Sequence, residues 1–131
     1  MAVLAGGFLL SGCVGIPACS AVGYFYDGPA VIEFDVELPP EATVAACFGQ
    51  LCEPAIVERT DGRTWEVAQR SPFLPEDKVP GDAFDLRVIV TDIDGTVSDG
   101  VHEIPVKTEP TGVFGECPGP FTFEPVLLGR T

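Results

Sequence analysis

The segment AVIEFDVELP, Ala30 to Pro39, alternates side chains without a slip: Ile32, Phe34, Val36 and Leu38 fall on one side, and Glu33, Asp35 and Glu37 on the other. Period two with one wet face is the pattern of a strand in an antiparallel sheet. FDLRVIV repeats it, with Phe84, Leu86, Val88 and Val90 on the inner side. Weaker runs of the same kind are Val22–Tyr26, Val44–Phe48, Ala55–Arg59, Thr64–Gln69, Val101–Val106 and Phe121–Leu128. Thirteen prolines and fifteen glycines discourage long helices, and no segment carries apolar residues at helical spacing over any length. An all-β chain follows.

Four Asp-Gly pairs punctuate these runs: Asp27-Gly28, Asp61-Gly62, Asp94-Gly95 and Asp99-Gly100. Asp-Gly supplies the positive φ that a tight hairpin turn needs. The pair at Asp61-Gly62 separates Ala55–Arg59 from Thr64–Gln69 and marks a hairpin. Ser71 to Ala83 contains three prolines and reads as one long loop. Seven or eight short strands at regular spacing predict an immunoglobulin-like antiparallel β-sandwich stapled by disulfides. The antibody signature itself is missing, because Trp65 does not lie midway between paired cysteines.

The N-terminal stretch MAVLAGGFLLSGC is apolar and uncharged and ends at Cys13. It is shorter than the ~20 residues a spanning helix takes, and it has the length of a signal-peptide apolar region. Leu10-Ser11-Gly12-Cys13 resembles the lipobox of bacterial lipoproteins. The chain as a whole is similar to small acidic lipoproteins of high-GC Gram-positive bacteria, the lipobox being the specific part. The resemblance implies cleavage before Cys13, a diacylglyceryl group on its sulfur, and a place on the extracytoplasmic face of the cell membrane. The departure from that pattern is the missing basic n-region, since no Lys or Arg precedes Arg59. The expected organisation is a signal peptide over residues 1–12, the lipidated cysteine and a short tether over 13–18, and a β domain over 19–131.

Five cysteines leave one over after pairing. With Cys13 lipidated, Cys19, Cys47, Cys52 and Cys117 remain, and four cysteines allow three connectivities. Cys47 and Cys52 enclose only FGQL, which suits a bridge across a hairpin mouth and leaves Cys19 with Cys117. By loop entropy the small ring is worth about 2 kcal/mol and the large one about 4 to 5 kcal/mol.

Seven basic residues face twenty acidic ones, a net charge of −13. Such a chain repels nucleic acid, and its acids are spread rather than gathered in a tail. The partners expected are the membrane, through Cys13, and a protein or glycan at the envelope.

One stretch argues for chemistry. Val88 to Gly100 reads VIVTDIDGTVSDG, and its Asp-x-Asp-Gly-Thr resembles the first motif of haloacid-dehalogenase-type phosphatases. That chemistry needs Asp92 at the end of a parallel strand in an α/β sheet, and no βαβ pattern flanks it. A hairpin turn explains the same letters. Calcium is a second reading, with Asp92, Asp94 and Asp99 as carboxylates around Gly95. The EF-hand pattern wants glycine at the sixth loop position and Glu at the twelfth; Gly95 is fourth and Glu103 twelfth. His102 is the one histidine, no nucleophile elbow is present, and no cofactor is called for. Tyr24, Tyr26 and Trp65 suggest a sugar-stacking platform; the competing expectation puts Phe25 in the core with the tyrosines at its edge. The reading is a lipid-anchored, non-catalytic binding or structural module, with a sugar- or calcium-binding accessory domain second and an envelope enzyme third.

Overall fold

A computed structural model describes residues 24–112, 114–115 and 117–129 of the chain. Among them are nine strands: β1 (Ala30–Phe34), β2 (Thr43–Phe48), β3 (Ala55–Val57), β4 (Thr64–Val67), β5 (Asp85–Asp92), β6 (Gly95–Glu103), β7 (Val106–Thr108), β8 (Phe121–Phe123) and β9 (Val126–Leu128). No helix occurs among the described residues. The strands form a three-stranded sheet in the order β4-β1-β9, a four-stranded sheet in the order β3-β2-β5-β6, and a two-stranded ribbon β7-β8.

The two larger sheets are the walls of a β-sandwich. Alternation drives their packing. Ala30, Ile32 and Phe34 of β1, Trp65 and Val67 of β4, Val44, Ala46 and Phe48 of β2, and Leu86, Val88 and Val90 of β5 enter one core. Each large apolar side chain sealed there contributes roughly 1.5–3 kcal/mol. Phe34 and Trp65 meet edge to face at 5.1 Å between ring centres.

The chain crosses between the walls after β1, β3 and β4, and pairs in place at β2–β3 and β5–β6. These crossings interleave the two walls into one β-sandwich. One pairing departs from the expected all-antiparallel sandwich: β9 lies parallel to β1, Ile32 opposite Val126.

Several local expectations are corrected. β1 stops at Phe34 because its partners run out: β4 begins at Thr64 and β9 ends at Leu128, although Asp35 and Leu38 still donate to the Leu128 and Gly62 carbonyls. Phe84 precedes β5 and is 42% exposed, packed on Phe121 rather than in the core. Phe121–Leu128 is two strands, split at Glu124-Pro125, since proline cannot donate to a ladder. Asp99-Gly100 is no turn; both residues pair with β5, opposite Ile89 and Val88.

The Asp61-Gly62 hairpin is corrected too. The turn forms, but β3 and β4 belong to different sheets, and the segment is a corner between the walls closed by a lone Arg59–Trp65 bridge. Tyr24–Tyr26 is not strand; Val22 and Gly23 lie outside the described residues. In the connection between β7 and β8, Gly119 sits so close that a Cβ there would strike the Glu109 carbonyl.

Candidate functional site

A cleft of about 740 Å³ lies between the Cys47–Cys52 loop and the long loop before β5. Its first wall follows directly from the disulfide. Cys47 and Cys52 are bonded with Cα atoms 5.9 Å apart, which fixes FGQL as a tight loop. Gly49 N donates to the Asp85 carbonyl at 2.8 Å, and the Gln50 amide donates to the Asp85 carboxylate at 3.1 Å. Leu51 at the loop tip is fully exposed.

The second wall is the loop predicted from its three prolines. Turns at Arg70–Leu74, Pro75–Lys78 and Val79–Asp82 fold it. Phe73 accepts a bond from Phe48 N at 3.0 Å, tying it to the floor. Gln69, only 6% exposed, anchors it from behind. Its Nε2 donates to the Tyr26 and Gly28 carbonyls at 2.7 and 2.8 Å, and its Oε1 accepts from Gly81 N at 2.7 Å. At the end of the non-strand segment Tyr24–Tyr26, the Tyr26 carbonyl is thus taken by a side chain and not by a neighbouring strand. Sequence reasoning missed Gln69, because a lone Gln in a polar run carries no signal until its partners are in place.

The cleft combines Phe48, Phe73 and Phe84 with the carboxylates of Glu53, Asp77, Asp82 and Asp85 and the ammonium of Lys78. An apolar floor under a mainly negative rim suits an apolar body that carries positive charge.

Arg87 links this region to β6. Its Nη1 donates to the Cys52 carbonyl at 3.1 Å, and its Nε and Nη2 reach the two carboxylate oxygens of Asp99 at 3.2 and 3.0 Å. The hydrogen bond from Arg87 holds Asp99 below the usual carboxylate range, and Asp99 in turn raises Arg87.

The predicted residues separate. Asp92 accepts from Asp94 N at 2.8 Å, capping the β5–β6 turn. Asp99 is committed to Arg87. Asp92, Asp94 and Asp99 are therefore not gathered, and among the described residues no three His, Cys, Asp or Glu side chains are placed to hold a metal ion. The Asp-x-Asp-Gly-Thr letters form an antiparallel hairpin, not the parallel strand end that the phosphatase motif requires. His102 lies on β6 opposite Leu86.

Trp65 is 1% exposed, so it cannot stack on a sugar; Arg59 covers its ring at 4.9 Å while donating to the Pro39 carbonyl at 2.7 Å. Phe25 is 72% exposed and not in the core, whereas Tyr26 packs edge to face on Phe123 at 4.9 Å. The Cys47–Cys52 bridge is as expected, and Cys117 is also disulfide-bonded. Cys19, its expected partner, and Cys13 lie outside the described residues. Comparison with family models, curated proteins and solved structures finds no match for the chain.

Proposed function

We propose that this is a lipid-anchored protein of the cell envelope whose β-sandwich is a non-catalytic binding or structural module. The observation that carries the reading is the state of the cysteines. Cys47, Cys52 and Cys117 are all oxidised, as in proteins of an exported compartment. Five cysteines cannot all pair, and Leu10-Ser11-Gly12-Cys13 gives the odd one a task as the lipid site. The β-sandwich adds a rigid body, and the cleft beside the Cys47–Cys52 loop offers it a recess. Asp92 and Asp94 serve a turn, which favours a module over a phosphatase.

Intact mass of the membrane-extracted protein tests this. The expected species starts at Cys13 and carries a diacylglyceryl group, and Cys13→Ser leaves the precursor uncut or releases the chain. A mature protein with an unmodified Cys13 would overturn the anchor.

A further inference from the structure

We infer that the cleft beside the Cys47–Cys52 loop is a site for a small amphiphilic organic cation, an apolar body bearing a protonated amine. The inference rests on the binding-module reading and deepens it, but it does not need the lipid anchor. The walls of the cleft are set in advance. The disulfide fixes one, Gln69 fixes the other through Gly81 N, and Arg87 Nη1 holds the Cys52 carbonyl at 3.1 Å. The aromatic part is braced as well. Phe84 packs on Phe121 and Phe123, at 5.8 and 6.1 Å between ring centres, and still keeps 42% of its surface open. A recess held in this way loses little entropy when it is filled. Its volume of about 740 Å³ lies within the range of a single small-molecule site, roughly 300–1,000 Å³.

Charge selects the occupant. Around the cleft Glu53, Asp77, Asp82 and Asp85 face a single ammonium, that of Lys78. Gln50 engages Asp85, and among the described residues no ion pair reaches any of these five charges. Four carboxylates against one ammonium leave the rim with a negative surplus. A cleft lined by one sign of charge over apolar walls concentrates ions of the other sign. The spread of the acids then decides which kind of cation fits. A metal ion such as calcium needs several oxygens at once, and among the described residues no three acidic side chains are placed to supply them. An ammonium is satisfied by one or two carboxylates. With its charge at the rim, the ligand's apolar body covers Phe73 and Phe84 and removes them from water. Lys78 is the one group in the rim that opposes such a ligand, which gives the proposal a signature: taking that charge away should tighten binding.

The experiment is an NMR titration of the whole oxidised chain carrying Cys13→Ser, which keeps lipid out of the result. The probe is phenylbutylammonium at low salt. Saturable amide shifts should centre on residues 49–53 and 77–85, with a dissociation constant at or below about 1 mM, as suits a ligand of this size. Phenylbutanol, the same body without the charge, should bind at least about fivefold more weakly, and the anionic phenylpentanoate should not bind. Asp77→Asn with Asp82→Asn, both at exposed positions, should weaken the ammonium by at least about threefold, and Lys78→Gln should tighten it about twofold, the scale of exposed charge pairs. Asp94→Asn makes the same charge change beyond the far end of β5, roughly 24 Å along the strand from Asp85, and should leave the constant unchanged. Shifts that scatter over the surface or never saturate overturn the proposal. So does an alcohol that binds as well as the amine, a Lys78→Gln variant that binds more weakly, or an Asp94→Asn loss equal to that of the rim variants. An unmodified Cys13 in the mass measurement would remove the anchor and leave each of these results standing.

Discussion

The corners at Asp61-Gly62 and Asp94-Gly95 share a dipeptide and a capping device, yet they do opposite things. In each, an Asp carboxylate accepts from the backbone N two residues on: Asp61 from Arg63 and Asp92 from Asp94, both at 2.8 Å. The second corner returns β6 along β5 in the same sheet. Ile93 and Asp94 form the loop and Gly95 starts the return strand at φ +121°, with a register shift just beyond at Val90/Thr91. Such a bulge next to a positive-φ glycine is a common way to close a hairpin. The first corner carries the chain from one wall to the other. Its Gly62 is not among the glycines with positive φ. What separates the two is the residue that follows. Thr64 is succeeded by Trp65, which the core takes in, whereas Thr96 and Val97 stay exposed. A turn dipeptide dictates a reversal of direction; burial of the next side chain dictates the destination.

The harshest way to break the contrast is to remove that burial. Trp65→Ala should cost about 3–5 kcal/mol, the range for emptying a large aromatic site. The Phe34 contact goes with it, and Arg59 loses the ring it covers. Thermal unfolding by circular dichroism would show a large drop in Tm; a shift of only a degree or two would mean that the first corner is held by its backbone instead.

A milder change separates the glycines. Gly95→Val forces a β-branched residue into the left-handed region and should cost about 1–3 kcal/mol, although nothing crowds the site. Gly62→Ala meets the exposed Glu37 side chain from Cγ outward, which has open solvent to swing into, and should fall within about 0.5 kcal/mol of the parent. Urea melts of the two would compare them directly. Equal losses would show that both corners depend on glycine.

The smallest effect is a matter of pH. The backbone bond from Arg63 holds Asp61 below the usual carboxylate range. A lowered folded pKa gives stability that is present above the unfolded value and is lost as pH falls through the folded one. Acid should therefore weaken the first corner below the ordinary carboxylate range, and Asp61→Asn should flatten that part of the curve. A carboxyl signal from Asp61 titrating at or above the ordinary value in an NMR pH series would contradict it.

The period of the strands was legible in the sequence, because β1 and β5 each bury one face against water on the other. Their partners were less so. Asp61-Gly62 reads as a hairpin until it is known that Trp65 is buried, and burial is a property of the whole core. The parallel pairing of β9 with β1 was hidden for the same reason: VLL carries no record of which strand lies beside it. The Cys47–Cys52 bridge was readable because its loop is too short for many alternatives. The cleft was not, since it is built from two loops that meet only after both walls have formed. Phe25 and Phe84 show the limit of hydrophobicity as a guide: one large ring in a strand-like run is expected inside, yet both are exposed at loop positions.

Gln69 bears on anyone who would redesign this surface. One amide ties the segment before β1 to the turn that carries Gly81. The two loops are therefore a single cassette. Exchanging the stretch from Ser71 to Ala83 for a foreign sequence would have to reproduce a backbone donor at the position of Gly81, or leave an acceptor oxygen unsatisfied in a buried place, at about 1–3 kcal/mol. Leu at position 69 would match the volume and strand three backbone groups. Glu would keep the acceptor and set a carboxylate against two carbonyls. The loop that looks most open to grafting, long, proline-broken and on the outside, is the one whose sequence is written partly in a residue outside it.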